Sequence, residues 1–142
     1  GWDRNNLSMP QAKDLIADVK KHGKKGQKIV VLAVVPGAVE TEWVDEVDAV
    51  LLMFMPGEQV GNATAALLTG EEAPSGRLPV SFPKAGEKRF EQADYPGVCP
   101  PPKTWCANMT ANFSEGVLVG YRWNDAKAIP SAYPFGFGLS YT

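Results

Sequence analysis

Apolar residues recur at Ala12, Leu15, Ile16 and Val19, the i, i+3, i+4, i+7 spacing of one helical face. Ser8 or a neighbour can cap this segment, Pro10 suits its first turn, and Gly23 offers a stop. The pattern predicts a helix over Pro10–His22, with Lys13, Asp14, Asp18, Lys20 and Lys21 left to solvent. Residues 28–35 (KIVVLAVV) change period: an almost unbroken β-branched run predicts a strand apolar on both faces. Residues 49–55 read the same way. Between them Pro36-Gly37 turns the chain, and residues 41–47 predict a short helix or turn. An alanine-rich helix is predicted over 59–69, closed by Gly70.

Two doubly apolar strands joined by a crossover and flanked by helices predict an α/β fold. The expected form is a three-layer α/β sandwich with a mostly parallel sheet. Residues 78–82, bounded by prolines, predict a short edge strand. Regularity then fails over 84–115, where Pro96, Gly97, Pro100, Pro101 and Pro102 forbid ladders, so an irregular insert is expected. Residues 116–123 (GVLVGYRW) predict a further strand. The last ten residues alternate glycine or serine with Phe135, Phe137, Leu139 and Tyr141, which suits an extended segment pressed against a neighbour.

The 142 residues suffice for one domain with its own core. A net charge of −2 without a basic run argues against a nucleic-acid partner. The longest apolar run, residues 29–36, is too short to cross a bilayer, and nothing else points to a membrane. The chain opens at Gly1 without Met and closes inside its last motif. A domain of a longer protein is therefore expected, and the lack of a signal peptide says nothing about compartment.

Compartment is argued from internal features. Sequons stand at Asn6, Asn62, Asn108 and Asn112. Asn108 and Asn112 share the Pro-rich insert with Cys99 and Cys106, two cysteines close enough along the chain for a local disulfide. Two free thiols in a cytosolic loop are the alternative. A secreted or vacuolar protein glycosylated at Asn6, Asn108 and Asn112 is the expectation.

No self-contained catalytic site stands out. The single histidine, His22, falls among lysines at a helix end, where a solvated role is expected. One histidine and two cysteines do not make a zinc site of usual spacing, and neither a nucleophile elbow nor a phosphate loop occurs. No metal or cofactor is expected. Two loops follow the predicted inner strands, where open α/β sheets present ligands. One carries Glu40, Glu42 and Trp43; the other carries Glu58 and Gln59. Helix capping accounts for Glu58 and Gln59, surface charge for Glu40 and Glu42, and core packing competes with sugar stacking for Trp43.

Several segments, in order, resemble the C-terminal α/β domain of glycoside hydrolase family 3. Gly1-Trp-Asp-Arg4 is similar to the end of that family's Glu-Gly-x-Asp-Arg stretch, and Leu7 to Pro10 to its Leu-x-Leu-Pro. Glu42-Trp43 resembles its Glu-Trp or Pro-Trp loop. Pro56-Gly-Glu-Gln-Val-Gly-Asn-Ala63 resembles Pro-Gly-Gln-Glu-x-Gly-x-Ala, with Glu58-Gln59 inverted. Pro74-Ser-Gly-Arg-Leu-Pro79, Gly116-Val-Leu-Val-Gly-Tyr-Arg122 and the Tyr133–Thr142 ending complete the set, with Phe137 where many members have His.

The resemblance implies a partial C-terminal domain, lacking an N-terminal barrel and any following fibronectin-like domain. It implies a retaining glycosidase acting on carbohydrate, most simply a β-glucosidase, with an Asp nucleophile on the barrel and an acid/base Glu directly before Gly1. Neither catalyst would then lie in this chain, while Trp2, Asp3 and Arg4 would continue the acid/base loop as substrate-binding residues. β-Xylosidase, β-N-acetylglucosaminidase and a non-catalytic carbohydrate-binding or interaction module are the alternatives.

Overall fold

The computed structural model describes residues 6–87, 97–103, 106–107 and 109–142. They fall into two compact units, one holding the described residues up to 85 together with 130–142 and the other those between 86 and 129.

The first unit begins with helix α1 (Pro10–His22), over the range its periodicity predicts. Its N-terminal boundary residue is Met9, whose side chain cannot cap, and the Gly23 amide closes the far end on the Val19 carbonyl. Strands β1 (Val30–Val34) and β2 (Ala49–Met53) run parallel, in register Val30↔Ala49 through Val34↔Met53. The crossover between them contains a single 3₁₀ turn, Val44–Glu46. Helix α2 (Val60–Thr69) follows and ends at Gly70 in the left-handed conformation. Its start lies one residue later than the sequence predicts. The α/β class and the parallel pair with its crossover are thus as expected.

The core gathers Ile16 of α1, Ala33 and Val35 of the β1 segment, Val39 and Trp43 of the crossover, and Leu78 and Phe82. Burial of the two strands on both faces does not hold within these residues. Ala33 and Val35 are buried, but Val30, Leu32 and Val34 remain 43%, 41% and 60% exposed. The physical reason is local: β1 has only β2 beside it among the described residues, and the core lies on its odd-numbered face.

Residues 78–82 do not form the predicted edge strand. Prolines at both ends limit regular pairing to one antiparallel bridge, Phe82↔Tyr133. Leu78 and Phe137 add the contacts Leu78 N–H to Phe137 carbonyl at 2.8 Å and Gly136 N–H to Leu78 carbonyl at 2.8 Å. The closing segment is pressed against its neighbour as expected at Gly138, where a Cβ would stand 2.8 Å from the Gly76 carbonyl oxygen. Arg77 also donates to the Gly138 carbonyl. Phe135, Leu139 and Tyr141 nonetheless stay exposed.

The strands start from one electrostatic clamp. Asp48 accepts from Lys28 Nζ at 2.7 Å and from the Ile29 amide at 2.9 Å. The Lys28 hydrogen bond, then the Ile29 amide, hold the Asp48 carboxyl below its ordinary value. A depressed carboxylate stabilises the fold above its unfolded value and loses that contribution as pH falls through the folded one. We expect the stability difference between wild type and Asp48→Asn to be small, because the pair is exposed. It should shrink further as pH is lowered from about 5 to about 3. Chemical denaturation at several pH values reads this directly; a difference that grows on acidification would refute it.

The second unit is organised by a bridge in which Val98 and Thr110 exchange hydrogen bonds of 2.9 and 3.0 Å. Gly97 beside it has φ +106°, and a Cβ there would lie 2.5 Å from the Thr110 carbonyl oxygen, so only glycine fits. The predicted strand over 116–123 is absent. Gly116 and Gly120 adopt φ +60° and +63°, which breaks an extended run, and Gly120 instead opens helix α3 (Tyr121–Lys127). Ala128 in the left-handed region ends it, with the Ile129 amide bonded to the Asn124 carbonyl at 2.8 Å. Val117 and Val119 are left 81% and 59% exposed.

Candidate functional site

In a parallel sheet the carboxyl ends of the strands present the loops that bind ligands. Here that rim carries the segment after β1, residues 35–43, and the segment after β2, residues 54–59. The chain entering α1 joins the same rim, because the Glu40 amide donates to the Leu7 carbonyl at 2.9 Å. Trp2, Asp3 and Arg4, assigned to substrate binding, lie outside the described residues, as does Asn108.

The rim is shaped by one buried aromatic. Trp43 is only 1% exposed and packs within the core, which rules out the sugar-stacking reading of its ring. Its Nε1–H is buried without an acceptor among the described residues. Trp43 forms the floor of a small cleft of about 120 Å³ lined also by Ser8, Met9, Lys13, Glu40 and Glu42. Lys13 pairs with Glu42 across it, and the Glu42 hydrogen bond raises the lysine above its ordinary value.

A broader cleft of about 320 Å³ lies beyond Glu42, lined by Thr41, Asp45, Lys84 and Tyr133 among others. Desolvation, and then the negative charge of Asp45, push the Tyr133 hydroxyl above its usual value, so it remains a proton-bearing donor at neutral pH. The cleft is absent from the sequence reading. Thr41 and Tyr133 belong to segments far apart along the chain, and no periodicity links them.

The remaining carboxylates on or near this rim are exposed, and two are engaged with lysines. Glu46 accepts from Lys20 at 3.1 Å, Glu42 from Lys13, and Glu58 is exposed ahead of α2. Gln59 occupies the helix boundary and accepts from Asn62 Nδ2 at 2.6 Å. His22 contacts the Asp18 carbonyl at 2.9 Å, a helix-terminal arrangement. No group of three or more His, Cys, Asp or Glu that could hold a metal occurs among the described residues. No helix among them is long and apolar enough to cross a membrane.

In the second unit, Cys99 and Cys106 are both present as thiols and lie near enough to hydrogen-bond. Desolvation, followed by the Cys106 hydrogen bond, pushes the Cys99 thiol up to about 11. Of the sequon asparagines, Asn6, Asn62 and Asn112 are exposed. Asn6 Oδ1 accepts from both the amide and the hydroxyl of Ser8, at 3.2 and 2.8 Å.

The profile described as "Glycosyl hydrolase family 3 C-terminal domain" matches residues 1–141. A beta-glucosidase of Rhizobium radiobacter is 36% identical over 99% of this chain, and Beta-glucosidase B of Emericella nidulans is 38% identical over all of it. In both cases the chain spans 17% of the relative's length. Among solved structures, DesR, a beta-glucosidase from Streptomyces venezuelae in complex with D-glucose, superposes with a TM-score of 0.79 at 36% identity. That match covers 100% of this chain and 17% of DesR. Beta-glucosidase 3B from Thermotoga neapolitana, in complex with glycerol, gives a TM-score of 0.77 at 32% identity, over 99% of this chain and 19% of that one.

Proposed function

This chain belongs to the C-terminal domain of glycosyl hydrolase family 3, and from that premise we propose that it is part of a retaining β-glucosidase. The full protein releases terminal β-linked glucose from β-glucosides and short oligosaccharides. What carries the reading is the match from residue 1 to residue 141 with relatives bearing the β-glucosidase name. That consistency of names favours glucose over xylose or N-acetylglucosamine.

Retention requires two carboxyl groups about 5–5.5 Å apart, one attacking the anomeric carbon and one protonating the leaving oxygen. The nucleophile belongs to the barrel domain, and the proton donor is a Glu directly before Gly1. Trp2, Asp3 and Arg4 line the leaving-group side of the site next to that donor. Its partners are the carbohydrate and the barrel. The full-length protein tests the reading: it should hydrolyse aryl β-glucosides faster than the matching β-xylosides and β-N-acetylglucosaminides. NMR should show β-glucose as the first-formed anomer. A first-formed α anomer, or no activity on any of these glycosides, would reject it.

The protein acts outside the cytosol, in a secreted or vacuolar setting. There Cys99 and Cys106 close a disulfide in the second unit, and Asn6, Asn108 and Asn112 carry glycans. The proximity of the two thiols and the exposure of Asn6 and Asn112 support this reading. Mass spectrometry of protein from its native host should find a peptide pair linked through Cys99 and Cys106. Treatment with a glycan-releasing amidase should convert at least one of Asn108 and Asn112 to Asp. Alkylatable thiols and unmodified asparagines would refute the assignment.

A further inference from the structure

The cleft of about 320 Å³ beyond Glu42 is built from segments that the fold fixes before any ligand arrives. The Thr41 carbonyl accepts from the Val44 amide at 3.0 Å and so opens the 3₁₀ turn Val44–Glu46, which carries Asp45. Pro83 is buried directly after Phe82, and the Phe82 bridge to Tyr133 brings Ala132 and Tyr133 to the same cleft. The Tyr133 ring packs on Phe137, with centroids 4.9 Å apart and planes at 48°. Ring and turn are held in place, which lowers the ordering cost of binding.

The mixture of polar groups decides the class of ligand. Thr41 brings a hydroxyl, Tyr133 a phenol, Asp45 a carboxylate and Lys84 an ammonium group. Asp45 and Lys84 take no part in an ion pair among the described residues, whereas Glu42 is already held by Lys13. An anion in this cleft would meet the Asp45 carboxylate, and a cation would meet the Lys84 ammonium group; either is repelled. A neutral ligand with several hydroxyls meets neither penalty. It donates to Asp45 and accepts from Lys84, and such charge-assisted hydrogen bonds are the strong ones. Pro83 and Ala132 add small apolar surfaces suited to the C–H face of a ring. The volume lies at the low end of small-molecule sites, roughly 300–1,000 Å³, and gives room for one sugar ring rather than a chain of them.

We propose that this cleft binds one neutral hexopyranose unit, held through its hydroxyls by Asp45, Lys84, Tyr133 and Thr41. The raised Tyr133 hydroxyl fits that role, since it keeps its proton at neutral pH and can donate to a sugar oxygen. The proposal goes beyond the hydrolysis argued above and does not need it. Binding here is read without turnover, so the two can fail separately.

The test is fluorine NMR on the full-length protein carrying 3-fluorotyrosine at position 133, titrated with methyl α-D-glucopyranoside and, separately, with inorganic phosphate. The glucoside should move the fluorine resonance along a saturable curve, and phosphate should not. Asp45→Asn and Lys84→Met should each raise the midpoint by about tenfold, because each removes one charge-assisted hydrogen bond. Both replaced side chains are exposed, so the variants keep the fold. The absence of a saturable shift up to about 0.1 M glucoside, weaker than any useful affinity, overturns the proposal. If either substitution leaves the midpoint unmoved, the sugar is seated elsewhere and the proposal is overturned. Saturation by phosphate would make the cleft an anion site, which overturns it as well.

Discussion

A polypeptide of residues 1–142 alone should release no p-nitrophenol from p-nitrophenyl β-glucoside above a blank, while the full-length protein turns it over. The expectation follows from the chemistry of retention. An oxocarbenium-like transition state needs a carboxylate to receive the anomeric carbon and an acid to protonate the departing oxygen. Within the described residues two carboxylates of the crossover, Glu42 and Glu46, are already paired with Lys13 and Lys20. Replacing by alanine the Glu proposed to precede Gly1, in the full-length enzyme, should lower kcat on substrates with poor leaving groups by about 10²–10⁴-fold. An aryl leaving group of low pKa needs less protonation and should lose less. Turnover by the isolated fragment, or equal losses for good and poor leaving groups, would contradict the assignment of the donor.

Phe82→Ala should be the most damaging single truncation in the first unit, destabilising it by about 3–5 kcal/mol. The ring is fully buried and meets Phe54 edge-to-face, with centroids 6.3 Å apart and planes at 82°. Its backbone also ties residues 78–82 to the closing segment: the Phe82 amide donates to the Tyr133 carbonyl at 2.8 Å. The Phe82 carbonyl accepts in turn from the Ala132 amide at 2.9 Å. Removing the ring leaves a cavity under that bridge, so lost packing adds to lost transfer energy. Phe82→Leu, which keeps most of the volume, should recover more than half of the loss. Denaturant unfolding of the full-length protein, followed by a probe within this domain, measures both. A cost below about 1 kcal/mol for the alanine variant would mean that the bridge is held elsewhere.

Helix α1 was legible to the residue because its whole determinant is local: four apolar positions on one face, a proline at the start and a glycine at the stop. The parallel pair was legible for a similar reason, since a β-branched run too short for a helix and bounded by Pro36-Gly37 has few other outcomes. Residues 116–123 misled the same logic. Alternating valines suit a strand, but Gly116 and Gly120 take up positive φ, and the residues after Gly120 close into a helix. Composition alone does not say which glycines will use that freedom.

The candidate site divides along the same line. Motif order sufficed to identify the family, because those signals are carried by short contiguous stretches. Burial of Trp43, the pairing of Phe82 with Tyr133 and the cleft that joins Thr41 to Tyr133 were decided only by the tertiary fold. So was the open face of β1, which the sequence marks as apolar without saying what stands beside it. Periodicity records which side of an element avoids water; it holds no information about which distant segment supplies the contact. That choice belongs to the packing of the complete chain.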